Sequence, residues 1–448
     1  MKNIKLPLLL ALFLCLGCKK FLDEKPNSRL ATPTTLADLQ ALLDHYNVLN
    51  FVDGVTPEAS STEYYLTDAD YATQSEQNQR MYTWQKSNIY ASTLNEWFYN
   101  YRALYRANSV LAILAEIEKN NSNEVQWHNV NGIAHYYRAK SLLKTLFAYA
   151  PSYNSTTAAQ DIGIPLRSGI DFNEPSVRSS VQRGYDEVIA ELTIAVQELP
   201  NTQVHVMRPS KPAAYGMLAR AYLSMNKYEE AFAAADASLK LKADLLDFNT
   251  LSASAAYPVP QFNMEILHDS FYPSGLLNNA RAKVNPEVLA LFEANDLRTQ
   301  VFFKNNNNGT FGFKGSYEGT VNPFSGVATD EVYLMRAECL ARMGRIQEAL
   351  ADLNTLLKKR YKTNTFQALQ STNKQQVIDW ALRERRKELL FRGLRWMDIK
   401  RLNVMGAGIS LKRVVGIKEY LLLPNDKGFA LPIPDDVIAL SGMPQNSY

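Results

Sequence analysis

PSKPAAYGMLARAYLSMNKYEEAFAAADASLKL, residues Pro209–Leu241, carries two apolar stripes in succession. Tyr215, Leu218, Ala219, Tyr222 and Met225 recur at the three-to-four-residue spacing of one helix face. Asn226-Lys227 interrupts the pattern, and Tyr228, Ala231, Phe232, Ala235 and Leu239 begin a second stripe. The spacing predicts two short antiparallel helices with small residues where they cross. A hairpin of this kind cannot bury its apolar face alone, so other helices must stack on it.

The chain supplies a second copy. In Tyr333–Leu357, Gly344-Arg345 stands at the turn. Ile346, Glu348, Ala349, Leu350, Leu353 and Leu357 fall where the first copy has Tyr228, Glu230, Ala231, Phe232, Ala235 and Leu239, at a constant offset of 118 residues. Both copies resemble the tetratricopeptide unit, whose period is about 34 residues.

The 448 residues are 46% apolar, 11% aromatic and 21% charged, a globular rather than a disordered balance. The formal charge of +3 falls to +1 if the segment holding Lys2 and Lys5 is removed, too near neutral to imply a nucleic-acid or acidic partner. MKNIKLPLLLALFLCLGC, Met1–Cys18, has two lysines, an apolar run from Leu6 to Leu16, and Gly17 before Cys18. The run is too short to span a bilayer as a finished helix and fits a signal peptide over 1–17. A small residue before a Cys at this place resembles a bacterial lipobox, although Cys15 occupies the position where Leu is usual. Cleavage before Cys18 would leave its thiol and new amino group to take acyl chains. Each buried methylene contributes about 0.8 kcal/mol, so two or more chains would hold a soluble domain at a membrane. Only Cys339 would remain besides the acylated Cys18, so no intramolecular disulfide is expected.

Residues 18–33 read as a polar tether, and 34–448 as a single domain. Leu36–Asn50 has helical spacing; Phe51–Tyr90 has none, and carries Tyr64, Tyr65, Tyr71, Tyr82, Trp84 and Tyr90. A loop of that length inside a compact domain is usually functional. Thr93-Leu-Asn-Glu96 reads as a capping box opening a helix through Leu114. Trp127–Ala150 is its partner, stopped by Pro151, and Val181–Leu199 is a further amphipathic helix closed by Pro200. Paired helical units are thus expected near 93–150, 181–241 and 331–401. A second irregular zone, 246–330, holds Tyr257, Phe262, Phe271, Tyr272 and Tyr317. Short strands are expected at Val301–Lys304 and Thr310–Lys314, around Asn-Gly turn chemistry. Gln375–Arg401 reads as helix, and Glu419–Leu423 with Gly428–Ile433 as a small hairpin. The fold class is mainly α: a scaffold of tetratricopeptide-like hairpins with long irregular insertions and a few short β-hairpins.

The most specific run is ERRKELLFRGLRWMDIKR, Glu384–Arg401. It resembles the pattern ERRKEL-x-F-E-G-x-R-W-x-D-L-x-R of the SusD/RagB family, surface nutrient-binding lipoproteins of Bacteroidota. Other pieces match in order: the lipobox with CKKFLDEKP, Trp97…Tyr101…Asn108, Tyr137-Arg138-Ala139, Asp296-x-Arg298, Tyr333-Leu-Met-Arg-Ala-Glu338 and Pro432-Ile-Pro434…Gln445-Asn446. Arg392 departs from the usual Glu, Leu394 replaces a commonly polar residue, and the end reads Gln-Asn-Ser-Tyr. Read from the residues alone, the interleaved Glu384, Glu388 and Asp398 make this an internal ion-pair network rather than a phosphate-binding strip, with Glu388 and Arg392 in favourable i,i+4 order.

The resemblance implies a SusD-like fold and a non-catalytic protein, lipid-anchored through Cys18 at the outer membrane and facing the cell exterior. It would capture oligosaccharide and pass it to a SusC-like TonB-dependent transporter. Two alternatives stand beside it: the same architecture binding peptides, as RagB-like members do, and a lipid-anchored tetratricopeptide adaptor that binds proteins alone. Sugars present apolar C–H faces ringed by hydroxyls, which flat aromatics with polar tips match. Tyr64, Tyr65, Tyr71 and Trp84 in one zone, and Tyr257, Tyr272 and Tyr317 in the other, are the candidate ligand contacts, and the two zones should converge on one outward face. No zinc-site spacing joins His45, His128, His135, His205 and His268, Asp68-Ala-Asp70 lacks the rest of a calcium loop, and no cofactor-binding glycine pattern appears. No catalytic residue or cofactor is expected.

Overall fold

The computed structural model describes residues 33–51, 53–91 and 95–447. The signal segment, Cys18 and the tether up to residue 32 lie outside the described residues, as does Thr93.

Capping and breaking residues set the helices. α1 (Leu36–Leu43) opens on a capping box between Thr35 and Asp38 and ends at Asp44, so the expected helix to Asn50 is cut, resuming only as a turn over Tyr46–Leu49. α2 (Glu96–Leu114) is capped by Asn95, whose side chain accepts from the Phe98 N–H. α3 (Glu124–Tyr149) stops before Pro151, and α4 (Val181–Glu198) runs from its Ser180 cap to just before Pro200. α5 (Lys211–Ser224) and α6 (Tyr228–Leu241) form the first hairpin; α7 (Thr329–Arg342) and α8 (Ile346–Leu357) form the second. The starts of corresponding helices, 211 and 329 or 228 and 346, keep the 118-residue offset.

Helices α2 to α8 pack each against the next, so each apolar stripe is covered by its neighbour. Small residues let the backbones approach: Ala213, Ala219, Ala231, Ala235, Ala337 and Ala341 are buried. At Gly216 a Cβ would come within 2.7 Å of the Val327 side chain. The second hairpin grips the first through its arginines. Arg342 lies 4.8 Å over the Tyr228 ring and Arg345 4.4 Å over Phe232, while Arg336 bridges Asp236 (2.8 Å) and Asp352 (2.7 Å).

The two irregular zones build a second core. Tyr64, Leu66, Met81 and Tyr82 from the first pack with Val259, Tyr272, Leu276, Val284 and Phe302 from the second, and with Leu390 and Phe391. Strand Tyr64–Tyr65 pairs antiparallel with Lys283–Val284, and Phe51 bridges Phe271. The first zone is less irregular than its sequence pattern implies. Helical turns at Thr56–Ser60, Asp68–Ala72 and Glu76–Tyr82 are too short to show a period, and the last two are set by caps at Thr67 and Ser75. The expected strands near 301–314 form as Phe303–Asn305 and Phe311–Phe313.

Glu384–Arg401 lies between the two cores. It is two helices, α9 (Lys374–Glu388) and α10 (Arg395–Val404), because Phe391 and Gly393 take positive φ between them. The Glu388–Arg392 pair expected on a continuous helix therefore does not form. Glu388 instead accepts from Arg298 (2.9 Å) and Arg360 (2.7 Å), and Arg392 donates to Asp330 (2.6 Å) while lying 3.9 Å over the Tyr317 ring. Arg298 further holds Asp296 and Glu384, each at 2.7 Å. Asp398 joins Arg385 and Arg401, which reaches Glu338 on α7. All of these charges are buried, so the run is the internal network expected from its interleaved signs.

The C-terminal hairpin differs in its pairing. Strand Lys418–Leu422 pairs with Leu411–Val415 across a turn at Gly416, not with 428–433. Residues 427–429 make a 3-10 turn instead, fixed by Asp426 accepting from the Gly428 N–H.

Candidate functional site

Around the second core the first insertion wraps one cation. The guanidinium of Arg413, on the C-terminal hairpin, lies 3.9 Å from the Tyr82 ring centre, 5.0 Å from Tyr64 and 5.1 Å from Trp84. It donates to the carbonyls of Ala59, Ser61 and Tyr82. Desolvated cation–π contacts are worth about 2 kcal/mol each, so this residue fixes the fold of the 56–84 segment. Trp84 donates from Nε1 to the Ser60 carbonyl (3.0 Å) in a left-handed conformation, φ +50°. Glu63 ties the same segment to the central network through Arg386 (3.1 Å) and Arg395 (2.9 Å).

The candidate contacts separate by burial. Tyr65, Tyr71 and Trp84 are half-buried. Tyr71 packs 5.7 Å from Tyr82, and its hydroxyl pKa is raised by burial first and then by neighbouring Tyr420. Tyr65 pairs across the strand with Lys283, whose ammonium lies 3.6 Å from Asp70. The Tyr65 ring therefore stands beside a buried ammonium that Asp70 and the Ala280 carbonyl hold. Tyr257 is half-buried on the 251–261 segment, where the Ala253 and Ala255 carbonyls accept from Lys314.

Tyr64, Tyr272 and Tyr317 are enclosed, with 1%, 0% and 1% of their surface exposed. Each hydroxyl is spoken for: Tyr64 donates to the Ala59 carbonyl (2.8 Å), Tyr272 to the Phe391 carbonyl (2.8 Å), and Tyr317 to Glu265 and Asp330. These three rings are core residues in this conformation, with no face open to a ligand. The structure thus brings Tyr64, Tyr71 and Trp84 around Tyr82 and Arg413, and sends Tyr272 and Tyr317 into the interior. Arg413, Lys283 and Asp70 are neighbours of the candidate contacts that sequence reasoning missed; partners more than 200 residues apart leave no local signal.

The helix histidines act as structural links. His128 pairs with Glu198 and His135 with Glu191 (2.5 Å), joining α3 to α4. His268 is buried between Tyr136 (3.1 Å) and Tyr137 (3.2 Å), and burial together with the Lys140 charge holds it well below the usual histidine range. Among the described residues no group of His, Cys, Asp and Glu is placed to hold a metal ion. No helix among them is long and apolar enough to cross a membrane.

A family model described as "Starch-binding associating with outer membrane" matches residues 20–223, and the SusD family model matches 329–422. The tetratricopeptide repeat model matches 212–245, the first hairpin. No curated protein matches the chain. Solved structures share its fold. A SusD superfamily protein from Bacteroides thetaiotaomicron superposes with TM-score 0.72 at 20% identity, over 92% of this chain and 100% of that one. A SusD superfamily protein from Bacteroides vulgatus gives 0.72 at 20%, over 92% and 99%. A SusD-like carbohydrate binding protein from Bacteroides vulgatus gives 0.66 at 18%, over 92% and 97%. With the two matching models flanking the second insertion and the Glu384–Arg401 motif forming the joint between cores, the chain belongs to the SusD/RagB family.

Proposed function

We propose that the protein captures oligosaccharide at the cell surface, without catalysing a reaction on it, and hands it to a SusC-like TonB-dependent transporter in the outer membrane. Acyl chains on Cys18 would keep it there, facing the exterior. One observation carries the reading: both insertions share a single core, and Tyr65, Tyr71 and Trp84 remain half-buried against it, with Tyr65 beside the Lys283–Asp70 pair. That is the pairing of flat apolar faces with charged edges that a sugar ring requires. Tyr257 extends the proposed contact set, and the buried Tyr64, Tyr272 and Tyr317 belong to the core that both insertions share. The family model's description and the carbohydrate-binding relative point to the same ligand class.

Calorimetry against a glycan panel tests it. At least one oligosaccharide should bind, and Tyr71→Ala or Trp84→Ala should weaken that binding about tenfold, the upper scale of a single aromatic contact. A panel that binds nothing, while short peptides do, would overturn it. The hand-over is tested by co-purification of a TonB-dependent transporter with the tagged protein.

A further inference from the structure

Along α2 an aromatic hollow of about 270 Å³ shares no lining residue with the Arg413 cluster. Its wall is four rings from two segments. Trp97 and Tyr101 stand 4.7 Å apart, tilted 34°; Tyr105 and Phe172 stand 4.7 Å apart, tilted 31°. Phe172 is 78% exposed and Tyr105 37%. An exposed phenyl ring contributes little to folding, yet this one is held in place over its partner.

What holds it is a braced loop. Asn108 donates from Nδ2 to the carbonyls of Arg167 (2.9 Å) and Gly169 (3.2 Å), and Tyr101 donates to Pro165 (2.8 Å). Arg167 in turn donates to the carbonyls of Asp171 and Glu174, closing the loop around its own guanidinium. Asn108 is 3% exposed and lines the hollow, and among the described residues its Oδ1 has no partner.

We infer that this hollow is a second carbohydrate site, taking one sugar ring or a short chain end between the Tyr105–Phe172 pair and the Trp97–Tyr101 wall, with Arg167 and Asp171 as polar contacts and Asn108 positioning the loop that carries them. Its volume falls just under the roughly 300–1,000 Å³ of small-molecule pockets, so it suits a terminal unit rather than the middle of a polysaccharide. The ligand class rests on the saccharide reading above; the place is independent of it. An aromatic-lined hollow edged by Arg167 and Asp171 fits the C–H face and hydroxyl edge of a pyranose better than it fits a purely apolar guest.

The test is saturation-transfer NMR and calorimetry on the purified full chain with maltose, cellobiose, xylobiose and N-acetylglucosamine as probes. Phe172→Ala and Tyr105→Ala are compared with Tyr71→Ala and Trp84→Ala; Phe172 is exposed, so its variant should melt like the wild type. The expected result is one probe whose affinity falls about five- to tenfold in Phe172→Ala and Tyr105→Ala but not in the other pair. Asn108→Asp, which keeps an acceptor but removes the loop-bracing donor, should weaken the same probe. Loss confined to Tyr71→Ala and Trp84→Ala would overturn this inference and leave the proposed function standing. Loss confined to Phe172→Ala and Tyr105→Ala would uphold it and displace the proposed contact set as the capture site. No binding of any probe to the wild type would overturn it.

Discussion

Asn226 and Gly344 lie 118 residues apart and turn the chain with the same hand: φ is +58° at one and +83° at the other. Each ends the first helix of its hairpin and aims the second back along it. The repeat thus extends to a backbone conformation that disfavours any residue with a branched Cβ.

Gly344→Val should therefore cost about 1–2 kcal/mol, read from urea unfolding, with no steric clash to add, since nothing lies within 4 Å of a Cβ built there. Asn226→Val should cost at least as much, because the Asn226 side chain also donates to the Arg401 carbonyl (3.1 Å). Asn226→Gly should lose that hydrogen bond and the one its Oδ1 accepts from the Tyr228 hydroxyl (3.0 Å), about 1 kcal/mol each.

Arg298 and Glu388 meet at 2.9 Å with neither side chain reaching solvent. Glu388→Gln should destabilise by about 3–5 kcal/mol, the cost of leaving buried partners uncompensated, here Arg298 and Arg360. Denaturant midpoints should show it, and exposed Glu348→Ala, which removes a surface pair with Arg345, should change them by less than about 1 kcal/mol.

Arg392 stands where the family motif usually has Glu. Arg392→Glu should be more harmful here than Arg392→Gln, because it would set a carboxylate beside Asp330 in a buried site. A loss above about 3 kcal/mol is expected. If Asp330→Asn in the same chain restores none of it, the Arg392–Asp330 pairing is not what the residue provides.

Glu58 is fully enclosed, and its carboxyl is pushed up to about 8, first by burial and then by the charge of Glu63. Its folded pKa thus exceeds the ordinary carboxylate value, so the folded chain holds an extra proton between those limits. Stability from this group is present at low pH and is lost as pH rises from about 5 toward about 8. Glu58→Gln should remove that slope. Relative to the wild type it should gain more than about 1 kcal/mol at pH 8 over its value at pH 5, since each tenfold change in proton affinity between the folded and unfolded chain is worth about 1.4 kcal/mol. Urea melts of the two proteins at both pH values measure it.

The helical scaffold was legible because its signal is local: Tyr215, Leu218 and Tyr222 declare a face within eight residues, and Asn226 and Pro200 mark where helices stop. The central ion network was legible as alternating signs, but its partners were not. The sequence pattern pairs Glu388 with Arg392, whereas the break at Phe391–Gly393 gives them to Arg298 and Asp330. Burial of individual tyrosines was out of reach for the same reason. Tyr64 and Tyr65 are neighbours in an extended strand and face opposite ways, and which side meets the core is decided by Val284 and Arg413, more than 200 residues on. The hairpin near the end is misread from sequence because Pro424-Asn-Asp-Lys has stronger turn chemistry than the Gly416 turn that the strands use.

Arg413 gives the chain an order of completion. The carbonyls it holds, at Ala59, Ser61 and Tyr82, belong to its first fifth, and the side chain that holds them arrives only near its last thirty-five residues. During synthesis the 56–84 segment stays unbraced until almost everything else has been made, so a chain cut short before this arginine would carry a stacked scaffold with that segment unsecured.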